Sequence, residues 1–161
     1  MPPDPEIFTL AQQVGERLRQ LRKSIAVAES CTGGLLGAAL TDVPGSSAYF
    51  LGGVISYADQ VKREQLGVSD ATLRQYGAVS EETAAAMASG VRQRLHADIG
   101  VSITGVAGPD AEGSKPAGLT FIGIAAAVAT TQRFQWTGDR WDNRRRSVIA
   151  ALELLVRAPE L

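Results

Sequence analysis

Three observations predict an α/β protein: a three-layer α/β/α sandwich around a mixed, mostly parallel sheet of about five strands. Short apolar, β-branched runs alternate with amphipathic helical stretches, the pattern of a layered α/β sheet. The last two such runs, residues 118–127 and 131–137, lie too close together for a crossover helix and read as a hairpin, which makes the sheet mixed. The 161 residues, 45% hydrophobic and 20% charged, suit one compact core, so a single domain over residues 1–161 is expected.

The elements follow in order. Asp4-Pro5 caps a first helix over residues 5–22, because proline at the first helical position gives up a donor that has no partner there. Ile7, Phe8, Leu10, Ala11, Val14, Leu18 and Leu21 gather on one of its faces. Residues 24–29 form a buried strand that stops at Ser30-Cys31-Thr32-Gly33-Gly34, and a helix over residues 35–41 follows at once. Residues 49–57 read as a second strand, weakened by Gly52-Gly53, and residues 58–66 and 70–76 as short helices. Ser80 caps a helix that runs to about Leu95, with Glu81 and Glu82 in the turn where the helix dipole favours negative charge. A strand over residues 99–104, a Gly/Pro-rich loop over 105–117, the hairpin and a closing helix over 142–156 complete the chain.

Charge and composition exclude several functions. Sixteen basic against seventeen acidic residues leave a net charge of -1, too little positive field for a nucleic-acid partner. One cysteine and one histidine, Cys31 and His96, cannot make a disulfide or a Cys/His metal site, so no metal is expected. No apolar run reaches the roughly 18 residues that span a bilayer, and Met1-Pro2-Pro3-Asp4 lacks the basic start of a signal peptide. No membrane partner and a cytoplasmic location are therefore expected.

In open α/β sheets ligands bind at the carboxyl ends of strands, and three segments fall there: residues 30–34, 57–62 and 104–116. In the first, small residues let a ligand approach helix N-terminal amides, which can hold a phosphate or an oxyanion beside a hydroxyl or thiol nucleophile. A plain capped helix start explains the same residues. Chemistry alone does not choose between Ser30 and Cys31, since a cysteine at a helix N-terminus is the better intrinsic nucleophile and a buried one is only a small hydrophobe. A serine needs a base. His96 sits at a helix end where contact with the last carbonyls accounts for it. Among only three lysines, Lys62 lies near the start of a short helix, where the dipole and partial burial both disfavour the ammonium form. A solvated helix face carrying Lys62, Arg63 and Glu64 is the alternative. Tyr57 can reach both lysine and serine by hydrogen bonds. Thr104-Gly105-Val106-Ala107-Gly108-Pro109 permits backbone contact with an anionic or planar ligand, and the cluster at residues 139–146 offers one or two arginines to a phosphate or carboxylate.

The joint pattern is more specific than its parts. Ala28-Glu29-Ser30-Cys31-Thr32-Gly33-Gly34, Ser56-Tyr57 with Lys62, Gly67-Val68, Gly77-Ala78-Val79-Ser80, and Thr104 to Pro109 with Lys115-Pro116 resemble, in order and spacing, the CinA C-terminal domain family, the nicotinamide mononucleotide deamidases. The resemblance runs from about residue 5 to 156 and implies the stand-alone form of the domain, without the N-terminal pyrophosphatase domain that many relatives carry. It implies a cofactor-free amidohydrolase converting nicotinamide mononucleotide and water to nicotinate mononucleotide and ammonia in pyridine-nucleotide salvage. The family's serine, lysine and tyrosine fall on Ser30, Lys62 and Tyr57. Expected substrate contacts are Thr32, Gly33 and Gly34 for the oxyanion, with Thr104, Gly105, Ala107, Gly108 and Arg140 or Arg144 for ribose and phosphate. The expected partner is thus a small-molecule nucleotide, and a homo-oligomer is left open. Two departures stand out: Asp59 where relatives commonly have a neutral Asn, and Asp110-Ala111-Glu112-Gly113-Ser114 where they often have a run of glycines. The rival class is a nucleotide-binding regulatory module without turnover, and a second enzymatic rival is a cysteine hydrolase using Cys31.

Overall fold

The computed structural model describes residues 2–161. Its five strands are β1 (Ile25–Glu29), β2 (Phe50–Ile55), β3 (Ile99–Gly105), β4 (Leu119–Ala125) and β5 (Ala129–Gln135), and its helices are α1 (Pro5–Leu21), α2 (Leu35–Thr41), α3 (Asp59–Leu66), α4 (Asp70–Tyr76), α5 (Glu81–Arg94) and α6 (Arg140–Arg157). A single turn of 3₁₀ helix spans Ser46–Ala48.

The sheet order is β2-β1-β3-β4-β5, with β1 parallel to both neighbours and β4 antiparallel to both of its own. Only β4 therefore runs against the rest, and the mixed, mostly parallel sheet read from the sequence is the observed one. The chain leaves β1 for β2 on one side and later reaches β3 on the other, so β1 is the switch point at which open sheets hold their ligands. The Gly52-Gly53 pair does not end β2. It follows a bulge at Leu51, where Ile25 pairs with Phe50 and Ala26 with Gly52.

One core lies between the sheet and α1, α2 and α6, built on Leu18, Ile25, Leu36, Leu40, Ile99, Val148 and Leu152. A second, under α3 and α5, joins Ala26, Ala28, Leu66, Met87 and Val91. The alanine-rich α5 sits unusually close to the strands because Gly100 and Gly123 carry no side chain there. A Cβ would stand 2.1 Å from the Ala88 carbonyl oxygen at Gly100 and 2.6 Å from that of Ala84 at Gly123. Helix ends follow the sequence reading: the carboxylate of Asp4 accepts from the amides of Glu6 and Ile7, and Ser80 Oγ from that of Thr83. The closing helix starts two residues earlier than expected, since Asp139 caps it through the amide of Asp142. The fifth strand starts at Ala129, because the reversal after β4 needs only residues 126–128. Among the described residues no helix is long and apolar enough to cross a membrane.

Candidate active site

The three parallel strands end side by side and deliver the candidate residues together. Glu29 pairs with Ile55 on one side and Ile103 on the other. The ladder continues one step further, with the Ser30 amide donating to the Ile103 carbonyl at 3.0 Å and the Ser56 amide to the Glu29 carbonyl at 2.7 Å. Ser30 is thereby fixed as the first residue beyond the central strand.

Lys62 comes to it from α3. The solvated-helix alternative fails for this residue: Arg63 and Glu64 face water, but Lys62 is 0% exposed, on the inward face with Leu66 one turn later. Its Nζ lies 3.0 Å from Ser30 Oγ, 2.6 Å from the Ser56 carbonyl oxygen and 3.3 Å from that of Tyr57. Carbonyls only accept, so two N–H bonds of the amine are committed to them. In the neutral amine the remaining position is a lone pair, and it faces the serine hydroxyl. Burial lowers the Lys62 pKa from its usual value, opposed chiefly by the negative charge of Asp59 and further by that of Glu112.

Cys31 also lines the cleft, but burial pushes its thiol up to about 11, which leaves it almost entirely un-ionised at neutral pH. His96 is exposed beyond the end of α5, on a left-handed backbone, and is not part of the cleft. The cleft itself, about 240 Å³, opens over Ser30 and Lys62 and is walled by Ala78 and Val79, by Thr104 to Gly108, and by Tyr57 and Arg140. Its charged lining comprises Asp59, Asp110 and Glu112 against Lys62 and Arg140. Both sequence departures, at residue 59 and in the loop after Pro109, thus place carboxylates in the same cleft.

Several expected contacts are arranged differently. The Tyr57 side chain does not bond the lysine; its main-chain carbonyl does, and its hydroxyl accepts instead from the Arg140 guanidinium at 3.1 Å. Accepting from Arg140 leaves the phenolic O–H uncommitted as a donor among the described residues, on a side chain that is 62% exposed at the cleft wall. Arg140 also donates to the Gly108 carbonyl at 2.7 Å, so it joins α6 to two cleft walls. Arg144 lies outside the cleft lining. It donates to the carbonyls of Cys31 and Thr32 at 3.0 and 3.2 Å, stacks over Trp141, and so clamps the turn from behind.

Thr32, Gly33 and Gly34 are likewise outside the lining, and the reason is a residue whose role the sequence reading missed. Glu29, 1% exposed, turns its carboxylate onto the start of α2, where it accepts from the Thr32 hydroxyl at 2.6 Å and from the amides of Gly34, Leu36 and Gly37 at 3.3, 2.9 and 3.0 Å. The amides of Gly33 and Leu35 bond the carbonyls of Ser30 and Thr32. The protein's own anion occupies the helix N-terminus, so these amides are not available to a substrate oxyanion. A Glu ending an otherwise apolar buried strand, one turn before a helix without its own side-chain cap, was the available signal. Asn143 was missed as well: buried on α6, it donates to the Ala107 carbonyl at 3.0 Å and steadies the loop after β3.

A three-layer α/β/α domain with a buried serine–lysine pair at the carboxyl ends of its parallel strands is the class that fold and site define. More narrowly, the chain belongs to the CinA C-terminal domain family, whose model matches residues 7–158. It is 51% identical over 151 residues to a CinA-like protein of Chlorobium limicola, a match covering 89% of this chain and 35% of that protein. The chain spans about a third of the length of the curated relatives it matches. Among solved structures it is similar to the competence/damage inducible protein CihA from Agrobacterium tumefaciens, with TM-score 0.90, 37% identity and coverage of 97% and 98% of the two chains. A competence-damaged protein (CinA) superfamily protein from Escherichia coli superposes with TM-score 0.92 at 33% identity, covering 97% and 92%.

Proposed function

We propose that the domain is an amidohydrolase that deamidates nicotinamide mononucleotide through Ser30 and Lys62. The observation that carries this reading is the fully buried Lys62 amine 3.0 Å from Ser30 Oγ, with its other N–H bonds held by two carbonyls. Ser30 Oγ attacks the carboxamide carbon while Lys62 Nζ takes the hydroxyl proton. Lys62 then returns that proton to the nitrogen as the C–N bond breaks, with the Tyr57 O–H donating a hydrogen bond and not a proton, and ammonia leaves an acyl-serine. Water, deprotonated by the same amine, attacks the ester; Lys62 passes that proton to the departing Ser30 Oγ, and the acid is released and ionises to the carboxylate.

The oxyanion is assigned to the amide of Cys31, a cleft-lining residue whose amide bonds no other residue among those described, in place of the Gly33 and Gly34 amides that the turn itself consumes. Thr104, Gly105, Ala107 and Gly108 form the wall along the substrate, and Arg140 at the mouth takes the phosphate in a charge-assisted pair. The acidic lining suits a pyridinium ring, which is cationic, and repels the carboxylate product. Arg144, Thr32, Gly33 and Gly34 keep a supporting role behind the nucleophile.

The test is ammonia release from nicotinamide mononucleotide by the purified chain. Ser30→Ala is expected to abolish it and Cys31→Ala to keep most of it, the thiol being buried and un-ionised. Binding without ammonia release by the wild-type protein would replace the enzyme with a nucleotide-binding regulatory module, and the reverse pattern of variants would transfer the chemistry to the thiol.

A further inference from the structure

Two motifs of the sequence, Gly77-Ala78-Val79-Ser80 and Lys115-Pro116, have no part in the chemistry above. The structure brings them together. Four consecutive carbonyls, those of Tyr76, Gly77, Ala78 and Val79, each accept a hydrogen bond from a side chain. Lys115 Nζ donates to Tyr76 at 2.6 Å and also to Val79. Ser80 Oγ and Thr83 Oγ1 donate to Gly77 at 3.0 and 2.7 Å, and Thr104 Oγ1 to Ala78 at 2.7 Å.

Lys115 is itself held in a tight turn, with two main-chain bonds to Glu112 at 2.9 and 3.0 Å. Glu112 lines one side of the cleft, while Ala78 and Val79 line another. One ammonium group therefore ties two walls of the cleft to each other. Gly77 makes room for it: the residue has φ +79°, and a Cβ there would lie 3.3 Å from Lys115 Nζ. The helix that leads into the segment, α4, has no buried residue of its own, so beyond Lys115 the segment is held by the bonds from Ser80, Thr83 and Thr104 and by Val79 packed with Val106 and Leu119.

We propose that Lys115 is a positioning residue that sets the distance between the Ala78-Val79 wall and the Glu112 wall, and through it the fit of the substrate over Ser30. The inference rests on the cleft being the functional site, and it assigns Lys115 no contact with the reacting atoms. A methionine of similar length donates nothing to either carbonyl, whereas an arginine can still donate to both.

The test compares Lys115→Met and Lys115→Arg with the wild type. In Lys115→Met the Gly77 amide, bonded to the Leu73 carbonyl at the end of α4, is expected to exchange with solvent at least tenfold faster, while the Ser30 amide within the sheet is unchanged. KM for nicotinamide mononucleotide is expected to rise about tenfold or more with kcat within about threefold of wild type, because uniform binding is lost and the serine–lysine pair is intact. Lys115→Arg is expected to recover most of both. Unchanged Gly77 exchange in Lys115→Met overturns the proposal, as does a fall in kcat at constant KM. A wild-type protein that releases no ammonia defeats the deamidase reading alone: the exchange comparison still decides the brace, with the dissociation constant for nicotinamide mononucleotide replacing KM.

Discussion

Replacing Lys62 by arginine separates a base from a mere positive charge. Arginine retains the charge and can still donate to the carbonyls of Ser56 and Tyr57, which accept from Lys62 at 2.6 and 3.3 Å. It has no lone pair to offer Ser30 Oγ, which lies 3.0 Å from the lysine nitrogen, because guanidinium stays protonated in proteins. General-base assistance is worth about 10²- to 10⁴-fold in rate. At 1.36 kcal/mol per decade that raises the barrier by about 3–5 kcal/mol. The assay is kcat for ammonia release from nicotinamide mononucleotide, with a thermal melt to establish that the variant is folded. Lys62→Met serves as the control for the extra bulk of arginine in a fully buried site, and it should lose as much, since it too lacks a base. The loss is expected in kcat, with substrate binding largely retained. A folded Lys62→Arg protein with near-wild-type kcat refutes the reasoning, because the charge alone then suffices.

Two further outcomes follow from the same geometry. In the proposed mechanism the neutral amine is the active form, so kcat/KM is expected to rise with pH through the Lys62 pKa; the Asp59 charge raises that pKa, and Asp59→Asn is expected to move the rising limb to lower pH, an unmoved limb meaning that the carboxylate does not act on Lys62. In Glu29→Gln one carboxylate oxygen becomes an NH₂ donor facing the backbone amides at the start of α2, which leaves buried donors unpaired at about 1–3 kcal/mol; a lower thermal midpoint together with a lower kcat is expected, and a protein of unchanged stability would remove Glu29 from the support of the nucleophile turn.

Much of this molecule was legible in its sequence. The alternation of apolar strands with amphipathic helices determined the layers and the mixed sheet, because hydrophobic period and the local chemistry of Asp4-Pro5 or Ser80 act over a few residues and need no distant partner. The scarcity of cysteine, histidine and lysine limited the chemistry to a few side chains, and Ser30 with Lys62 was within reach by elimination and resemblance. What the sequence left open was every question of which group faces which. Whether Lys62 is solvated or buried depends on α3 packing against the sheet and α5, a contact between segments far apart in the chain. The choice between an oxyanion and an internal anion at the start of α2 was made by the rotamer of Glu29, and the Gly77 and Lys115 motifs meet only where the loop after β3 closes onto the end of α4. Local pattern is encoded within a few residues; the partner of a buried polar group is chosen by packing, and only the tertiary structure decides it.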